Sequence, residues 1–115
     1  MKSSLDVAKI AVNELENKKA IDVKLIKIDE VSTLADYFVL ASGNNINQIQ
    51  AMADSVEEAL HKAGCSMNQV EGYRNANWIL MDFKDVVIHI FDKESRSFYD
   101  LERIWRDGTE VQTKK

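Results

Sequence analysis

The sequence contains no proline, only four glycines, one cysteine and two histidines among its 115 residues. Linkers and solenoids have no support, because no stretch rich in proline or glycine and no internal repeat is present. A single cysteine cannot form an internal disulfide, which excludes a disulfide-stabilised secreted framework. The chain is 45% hydrophobic, enough for a single core, so we expect one compact domain.

Long hydrophobic runs are also missing. The longest apolar runs, such as residues 86–91, fall far short of the roughly 20 residues that span a bilayer, and the N-terminus lacks the apolar core of a signal peptide. We therefore expect a cytoplasmic protein. The 19 acidic and 15 basic residues give a net charge of −4, which argues against broad electrostatic binding to nucleic acid. A basic protein partner stays open.

Hydrophobic periodicity predicts the elements of the first half of the chain. Ser3 caps a first helix that ends near Asn17. Strands are predicted at residues 23–28 and 37–41, and the second is apolar on both sides, as expected of an interior strand. A second helix is predicted over residues 45–62, because apolar side chains recur at helical spacing up to a terminating glycine.

The second half of the chain predicts a hairpin. After a short strand within residues 67–71, two strands meet at a two-residue turn, Lys84–Asp85. Because paired residues share a face, this turn makes one face wholly apolar and the other mixed. The predicted pairs are Phe83 with Val86, Met81 with Ile88, Ile79 with Ile90, Trp78 with Phe91, Leu80 with His89, and Asp82 with Val87. Lys-Asp lacks the Gly or Asn that tight turns prefer, so a longer turn with a shifted register stays an alternative.

The C-terminal region predicts a helix and a tail. Asp92 can cap this helix, and its inward stripe would consist of Phe98, Leu101, Ile104 and Trp105. Residues 109–115 are predicted to form a flexible tail beyond a single domain of residues 1–108. The order of elements predicts an α/β fold, a sandwich of helices around a mixed β-sheet.

No pattern of residues predicts a catalytic, metal or cofactor site. The segment "ASGNN" lies between a strand and a helix but matches no phosphate-binding motif. His61 and His89 lie in different elements, with no accompanying ligand spacing. Ser42 lacks the flanking pattern of a nucleophile elbow.

The mixed face of the hairpin is the candidate binding surface. Aromatic residues that also carry a polar group are enriched at interface hot spots. The residues with this composition are Trp78, Leu80, Asp82 and His89, with Tyr73 and Arg74 in the preceding loop. The alternative is that a helix of the same chain covers this face, with Trp78 and His89 as core residues.

Four motifs in succession resemble the ribosomal silencing factor family, RsfS, also called the Iojap family. They are "DYFVLASG", "EG" before "WIL", "DVVIHIF" and "FYDLERIW", and the resemblance extends from about Leu5 to Gly108. It implies a non-enzymatic cytoplasmic factor, homodimeric when free, with a fold similar to nucleotidyltransferases. Many relatives have Tyr-Gly where this chain has Phe83 and Lys84.

The resemblance also implies a partner and a mechanism. Such a factor binds the large ribosomal subunit through ribosomal protein fourteen of that subunit, blocks joining with the small subunit and represses translation when nutrients are short. The contact role is expected at Tyr73, Trp78, Leu80, Asp82 and His89. Two alternatives are a nucleotidyltransferase-like nucleotide-binding protein and a ribosome assembly factor. The first would need metal-binding carboxylates near Gly43, and Asp82 is the one candidate.

Overall fold

Two helices and six strands form the part of the protein that the computed structural model describes, residues 3–29, 35–92 and 109–111. In chain order they are α1 (Ser4–Asn17), β1 (Ile21–Lys27), β2 (Tyr37–Gly43), α2 (Ile46–Lys62), β3 (Gln69–Glu71), β4 (Trp78–Asp82), β5 (Val86–Asp92) and β6 (Thr109–Val111).

Both helices begin at side-chain caps. The Oγ atom of Ser3 accepts a hydrogen bond from the backbone N–H of Asp6 (3.1 Å), as the sequence predicts. The Oδ1 atom of Asn45 accepts from the backbone N–H of Gln48 (2.8 Å) at the start of α2. Helix α2 ends at Lys62, just before Gly64 at a φ of +90°, so both predicted helices are confirmed.

Gln48 joins the end of α1 to the start of α2. Its side-chain amide donates to the backbone carbonyls of Lys18 and Lys19 (both 3.2 Å). The side-chain oxygen of the same residue accepts from the backbone N–H of Asn44 (2.7 Å). These bonds satisfy backbone groups that a helix end and a turn would otherwise leave unpaired.

The strands form one mixed sheet in the order β3-β4-β5-β2-β1-β6. Strand β2 pairs in parallel with β5 and antiparallel with β1. Six of its seven residues are buried, which confirms the predicted interior strand. Strand β1 starts two residues earlier than predicted, and its register with β2 is irregular between Ile21 and Lys24.

The predicted hairpin register is confirmed. Strands β4 and β5 pair Trp78 with Phe91, Leu80 with His89 and Asp82 with Val87. The turn is a two-residue turn, closed by a hydrogen bond from the backbone N–H of Phe83 to the carbonyl of Val86 (2.9 Å). Lys84 adopts a φ of +72°, the left-handed conformation for which tight turns favour glycine.

The C-terminal end differs from the prediction. Thr109–Val111 forms β6 and pairs antiparallel with β1, where the sequence predicts a flexible tail. That prediction is wrong for these three residues, because neighbouring backbone groups of β1 supply the pairing. The predicted last helix, with Phe98, Leu101, Ile104 and Trp105, lies outside the described residues.

Two apolar clusters occupy the two faces of the sheet. The larger one joins both described helices to Ile79, Met81, Ile88 and Ile90 of the hairpin. The smaller one, on the opposite face, contains Leu40, Val87 and Phe91, with Trp78 and Leu80 packed against it. The α/β fold with a mixed sheet is therefore confirmed, and both described helices lie on the same face.

Candidate partner-binding face

Strand alternation places Trp78, Leu80 and Asp82 of β4 on the sheet face opposite the two described helices. All three are half-buried. On β5, Phe91 is the cross-strand neighbour of Trp78, and His89 is that of Leu80. Both are buried, and His89 is 5% exposed. We call these five residues the hairpin face.

An aromatic stack forms the centre of the hairpin face. The rings of Trp78 and Phe91 are stacked with centroids 5.5 Å apart. The His89 and Phe91 rings are nearly parallel, with centroids 6.1 Å apart. Phe38 of β2 meets His89 edge-on at 4.7 Å. Ring pairs in such arrangements contribute about 0.5–1.5 kcal/mol each beyond their buried area, so the stack holds Trp78 in a fixed orientation.

A hydrogen bond also orients Trp78. Its indole Nε1–H donates to Nδ1 of His89 across the two strands (3.1 Å). Nδ1 can accept a hydrogen bond only when the His89 imidazole is neutral and carries its proton on Nε2. Burial lowers the pKa of His89 from the usual 6.5 to about 4, so the accepting form prevails at neutral pH.

Asp82 is committed to the hairpin turn. Its Oδ1 accepts from the backbone N–H of Lys84 (2.8 Å), and its Oδ2 accepts from the side-chain amide of Asn68 (3.3 Å). A carboxylate offers about four lone-pair sites, so both oxygens retain capacity for a further donor. The carboxylate is half-exposed and prepositioned at the end of the face.

Tyr73 lies on a different surface from the other predicted site residues. Its hydroxyl donates to Asp54 of α2 (3.1 Å), and its backbone carbonyl accepts from the side-chain amide of Gln50 on the same helix (2.9 Å). The hydrogen bond to Asp54, with smaller contributions from burial and from the charges of Asp54 and Glu57, raises the pKa of the Tyr73 phenol. Tyr73 thus faces α2, on the side of the sheet away from Trp78.

Gly72 fixes the loop that carries Tyr73. It has a φ of +78°, and a Cβ added there would overlap the carbonyl oxygen of Trp78. Its own carbonyl accepts from the backbone N–H of Ala76 (2.9 Å), which closes the loop. The "EG" that precedes "WIL" in the sequence therefore has a structural reason, because only glycine permits this close approach.

Both interpretations of the mixed face are partly met. Trp78, Leu80, Asp82 and His89 come together as predicted, whereas Tyr73 does not join them. His89 is buried like a core histidine, and the other three keep exposed area. Sequence reasoning missed Phe38 and Asn68, which support the face from β2 and from the residue before β3.

The carboxylate that a nucleotidyltransferase would need is far from the "SGNN" turn. Gly43 pairs with Asp92 at the end of β5, whereas Asp82 pairs with Val87 near its start. Five residues of extended strand separate these positions by about 16 Å. Over the described ranges, no group of three or more His, Cys, Asp or Glu side chains could hold a metal ion.

Within residues 3–29 and 35–92, neither helix is long and apolar enough to span a bilayer.

The comparison with known families decides the classification. A family model described as "Ribosomal silencing factor during starvation" matches residues 1–115. The chain belongs to the ribosomal silencing factor family. A protein of Halalkalibacterium halodurans named ribosomal silencing factor RsfS is 36% identical over 96% of this chain and 94% of its own length.

Solved structures of relatives share the fold. A crystal structure of a protein from Chromobacterium violaceum superposes with a TM-score of 0.89 at 30% identity, covering 91% of this chain and 88% of that one.

A more distant relative is the mouse protein named "Mitochondrial assembly of ribosomal large subunit protein 1". It is 29% identical over 82% of this chain, which corresponds to 42% of the mouse protein.

Proposed function

We propose that this protein binds the large ribosomal subunit through ribosomal protein fourteen of that subunit and blocks joining with the small subunit. Translation is thereby repressed when nutrients are limited. Family membership supports this proposal, since the family is described as a silencing factor during starvation. The protein acts in the cytoplasm by occupying a surface, and no chemical reaction is required.

The hairpin face is the contact surface in this proposal. Trp78 is held by the stack and by His89, so binding costs little side-chain ordering. Leu80 adds apolar area beside it, and Asp82 accepts a hydrogen bond from a Lys or Arg of the partner. His89, which is 5% exposed, acts by positioning Trp78.

Charge supports a basic protein partner. The chain has a net charge of −4, and Asp82 lies at the end of the hairpin face. Complementary charges raise association rates and fix orientation more than they raise affinity. Tyr73, a residue that is 39% exposed, lies on the helix side of the sheet, and in this proposal it contacts the same partner around the edge of the domain.

Self-association belongs to the same proposal. We propose that the free protein is a homodimer and that Trp78 of the hairpin face takes part in the dimer contact. The dimer must then dissociate before the subunit is bound, so the two associations compete. Concentration-dependent sedimentation of the wild type beside Trp78→Ala tests this point. An unchanged dimer would show that the two surfaces are separate.

Cosedimentation with purified large subunits tests the binding surface. Trp78→Ala removes the central aromatic, which typically costs about 2 kcal/mol or more, roughly thirtyfold in affinity. Asp82→Asn keeps an oxygen that can accept from the backbone N–H of Lys84, removes the charge, and replaces the oxygen that accepts from Asn68 with an NH2 group. We expect a smaller loss for this variant, and one that shrinks as salt is added.

The matched control is Glu16→Gln, an exposed residue near the end of α1 that changes net charge by the same amount. It should bind as the wild type does. Circular dichroism establishes that each variant is folded. Equal binding by Trp78→Ala, Asp82→Asn and the wild type would show that the hairpin face is not the contact surface.

A second candidate, a role in assembly of the large subunit, is favoured by the name of the mouse relative. The two functions differ in what accumulates in cells that lack the protein. An assembly role predicts incomplete large-subunit particles during growth in rich medium. A silencing role alone predicts complete subunits and continued joining during starvation.

A further inference from the structure

The "EG" motif contains Glu71 as well as Gly72. Gly72 is required by the close approach of the carbonyl oxygen of Trp78, which leaves no room for a Cβ atom. Packing gives no such reason for a glutamate at position 71, because Glu71 is exposed at the end of β3. Its side chain is therefore available for contact with another molecule.

The register of β3 places Glu71 on the same side of the sheet as the hairpin face. Glu71 pairs with Leu80 of β4. Paired residues share a face, and Leu80 belongs to the hairpin face, opposite the two described helices. The diagonal neighbours of Glu71 on β4 are Trp78 and Asp82, at a typical separation of about 7–8 Å. Glu71 is thus adjacent to all three β4 residues of the hairpin face.

The backbone around Glu71 is held at both ends of β3. Just before the strand, the backbone N–H of Asn68 donates to the carbonyl of Asp82 (2.7 Å). Just after it, the backbone of Gly72 packs against the carbonyl oxygen of Trp78. A side chain on a fixed backbone loses less freedom on binding than one on a mobile loop, which favours Glu71 as a contact residue.

Charge on this side of the hairpin is negative. Glu71 and Asp82 each contribute a carboxylate, and strands β3, β4 and β5 contain no Lys or Arg. Within residues 3–29, 35–92 and 109–111, neither carboxylate forms a salt bridge with a Lys or Arg. Leu80 lies beside both of them and is half-buried. Two carboxylates that flank one apolar side chain favour a cation with an apolar stem.

Arginine matches this arrangement better than lysine does. Its planar guanidinium carries five N–H donors, so it can donate to carboxylates on two of its sides at once. The ammonium of lysine is a compact charge without that fixed fork. The apolar stem of an arginine can pack on Leu80 while its head remains between Glu71 and Asp82.

We propose that Glu71 is a contact residue of the partner-binding surface and that it shares one arginine of the partner protein with Asp82. The guanidinium lies over Leu80, between the two carboxylates. This inference rests on the proposed function and deepens it, because it adds a residue of β3 to the contact surface and names the chemical group that this surface recognises.

A different role for Glu71 makes a different prediction. Strand β3 stands at the end of the strand order, and a charge on an edge strand can serve only to prevent pairing with another chain. Lysine serves that purpose as well as glutamate does. Glu71→Lys therefore keeps the edge protected while it reverses the charge that the arginine contacts.

Binding to purified large subunits, measured at low and at high salt, tests the contact. Glu71→Gln should weaken binding about threefold, and Glu71→Lys roughly tenfold or more. Both losses should shrink as salt is added. Glu16→Gln, which removes a charge from α1, should bind as the wild type does. Urea unfolding of Glu71→Gln should match the wild type, because the side chain is exposed.

A double-mutant cycle tests the shared arginine. Glu71→Gln, Asp82→Asn and the double variant are compared with the wild type in the same binding measurement. If one arginine contacts both carboxylates, the loss in the double variant should be smaller than the product of the two single losses. Losses that multiply would show that the two residues contact separate groups, and would overturn the shared arginine.

The outcomes separate this inference from the proposed function. Wild-type binding by Glu71→Gln and Glu71→Lys, with Trp78→Ala still weakened, would overturn the inference and leave the proposed function standing. Wild-type binding by Glu71→Lys alone would assign Glu71 to edge protection and would also overturn it. If the wild type does not bind the large subunit, the proposed function fails and this inference fails with it.

Discussion

Trp78 and His89 are joined across the hairpin by a hydrogen bond from the indole Nε1–H to Nδ1 of the imidazole, 3.1 Å long. The bond requires neutral His89, and burial among aromatic rings keeps it neutral. The orientation of the half-exposed Trp78 thus depends on the buried His89. The orientation of the proposed anchor is therefore coupled to the protonation of a core residue.

The free energy of unfolding should fall between pH 7 and pH 5. The pKa of His89 is lowered from 6.5 to about 4 on folding, so the unfolded chain takes up a proton below pH 6.5 while the folded chain does not. The contribution is complete above pH 6.5 and is lost as the pH falls toward 4. Between pH 7 and pH 5 the free energy of unfolding falls by about 2 kcal/mol.

Urea unfolding of His89→Gln at both pH values isolates this contribution. The variant should show a pH dependence smaller by that amount, because glutamine does not titrate. His61→Gln is the matched histidine substitution, since His61 is exposed on α2. Identical pH dependence in the wild type and His89→Gln would show that His89 is not buried in neutral form.

Lys84→Gly should stabilise the protein by about 0.5–1 kcal/mol. Lys84 has a φ of +72°, which costs an L residue about 1–2 kcal/mol, and the added freedom of glycine in the unfolded chain offsets part of that gain. Thermal unfolding measures the difference. Lys84→Ala, which keeps the Cβ atom, should show no gain. An equal gain in both variants would place the cause in the lysine side chain and not in the backbone.

Gly72→Ala and Gly64→Ala form a matched pair. Both glycines have positive φ, but a Cβ at Gly64 would meet no atom within 4 Å, whereas one at Gly72 would overlap the carbonyl oxygen of Trp78. We expect a loss of about 1 kcal/mol at Gly64 and about 3 kcal/mol or more at Gly72. Chemical denaturation compares them. Equal losses would mean that the loop shifts to accommodate the methyl group.

The hairpin could be predicted from sequence because a two-residue turn determines every pair in it. Placing the turn at Lys84 also assigned Trp78, Leu80 and His89 to one face, as the structure confirms. The usual signal for such a turn, a glycine, is missing, and the Asp82 carboxylate stabilises it by accepting from the backbone N–H of Lys84.

The position of Tyr73 could not be predicted in the same way. Its orientation depends on Gln50 and Asp54, which are 23 and 19 residues away in sequence. Hydrophobic periodicity predicts which face of a helix or strand a side chain lies on, but it makes no prediction for a loop. Strand β6 was missed for a similar reason. Its three residues carry little apolar pattern, and their conformation follows from pairing with β1. In both cases a tertiary contact decides the local structure.

In the proposed function, the protein prevents the two ribosomal subunits from joining by residing on the large one. The direct measurement mixes separated subunits with the protein and follows joined particles by sucrose-gradient sedimentation. The wild type should reduce joining and travel with the large subunit, Trp78→Ala should do so only at roughly thirtyfold higher concentration, and Glu16→Gln should match the wild type. Undiminished joining, with the wild type left at the top of the gradient, would contradict the account.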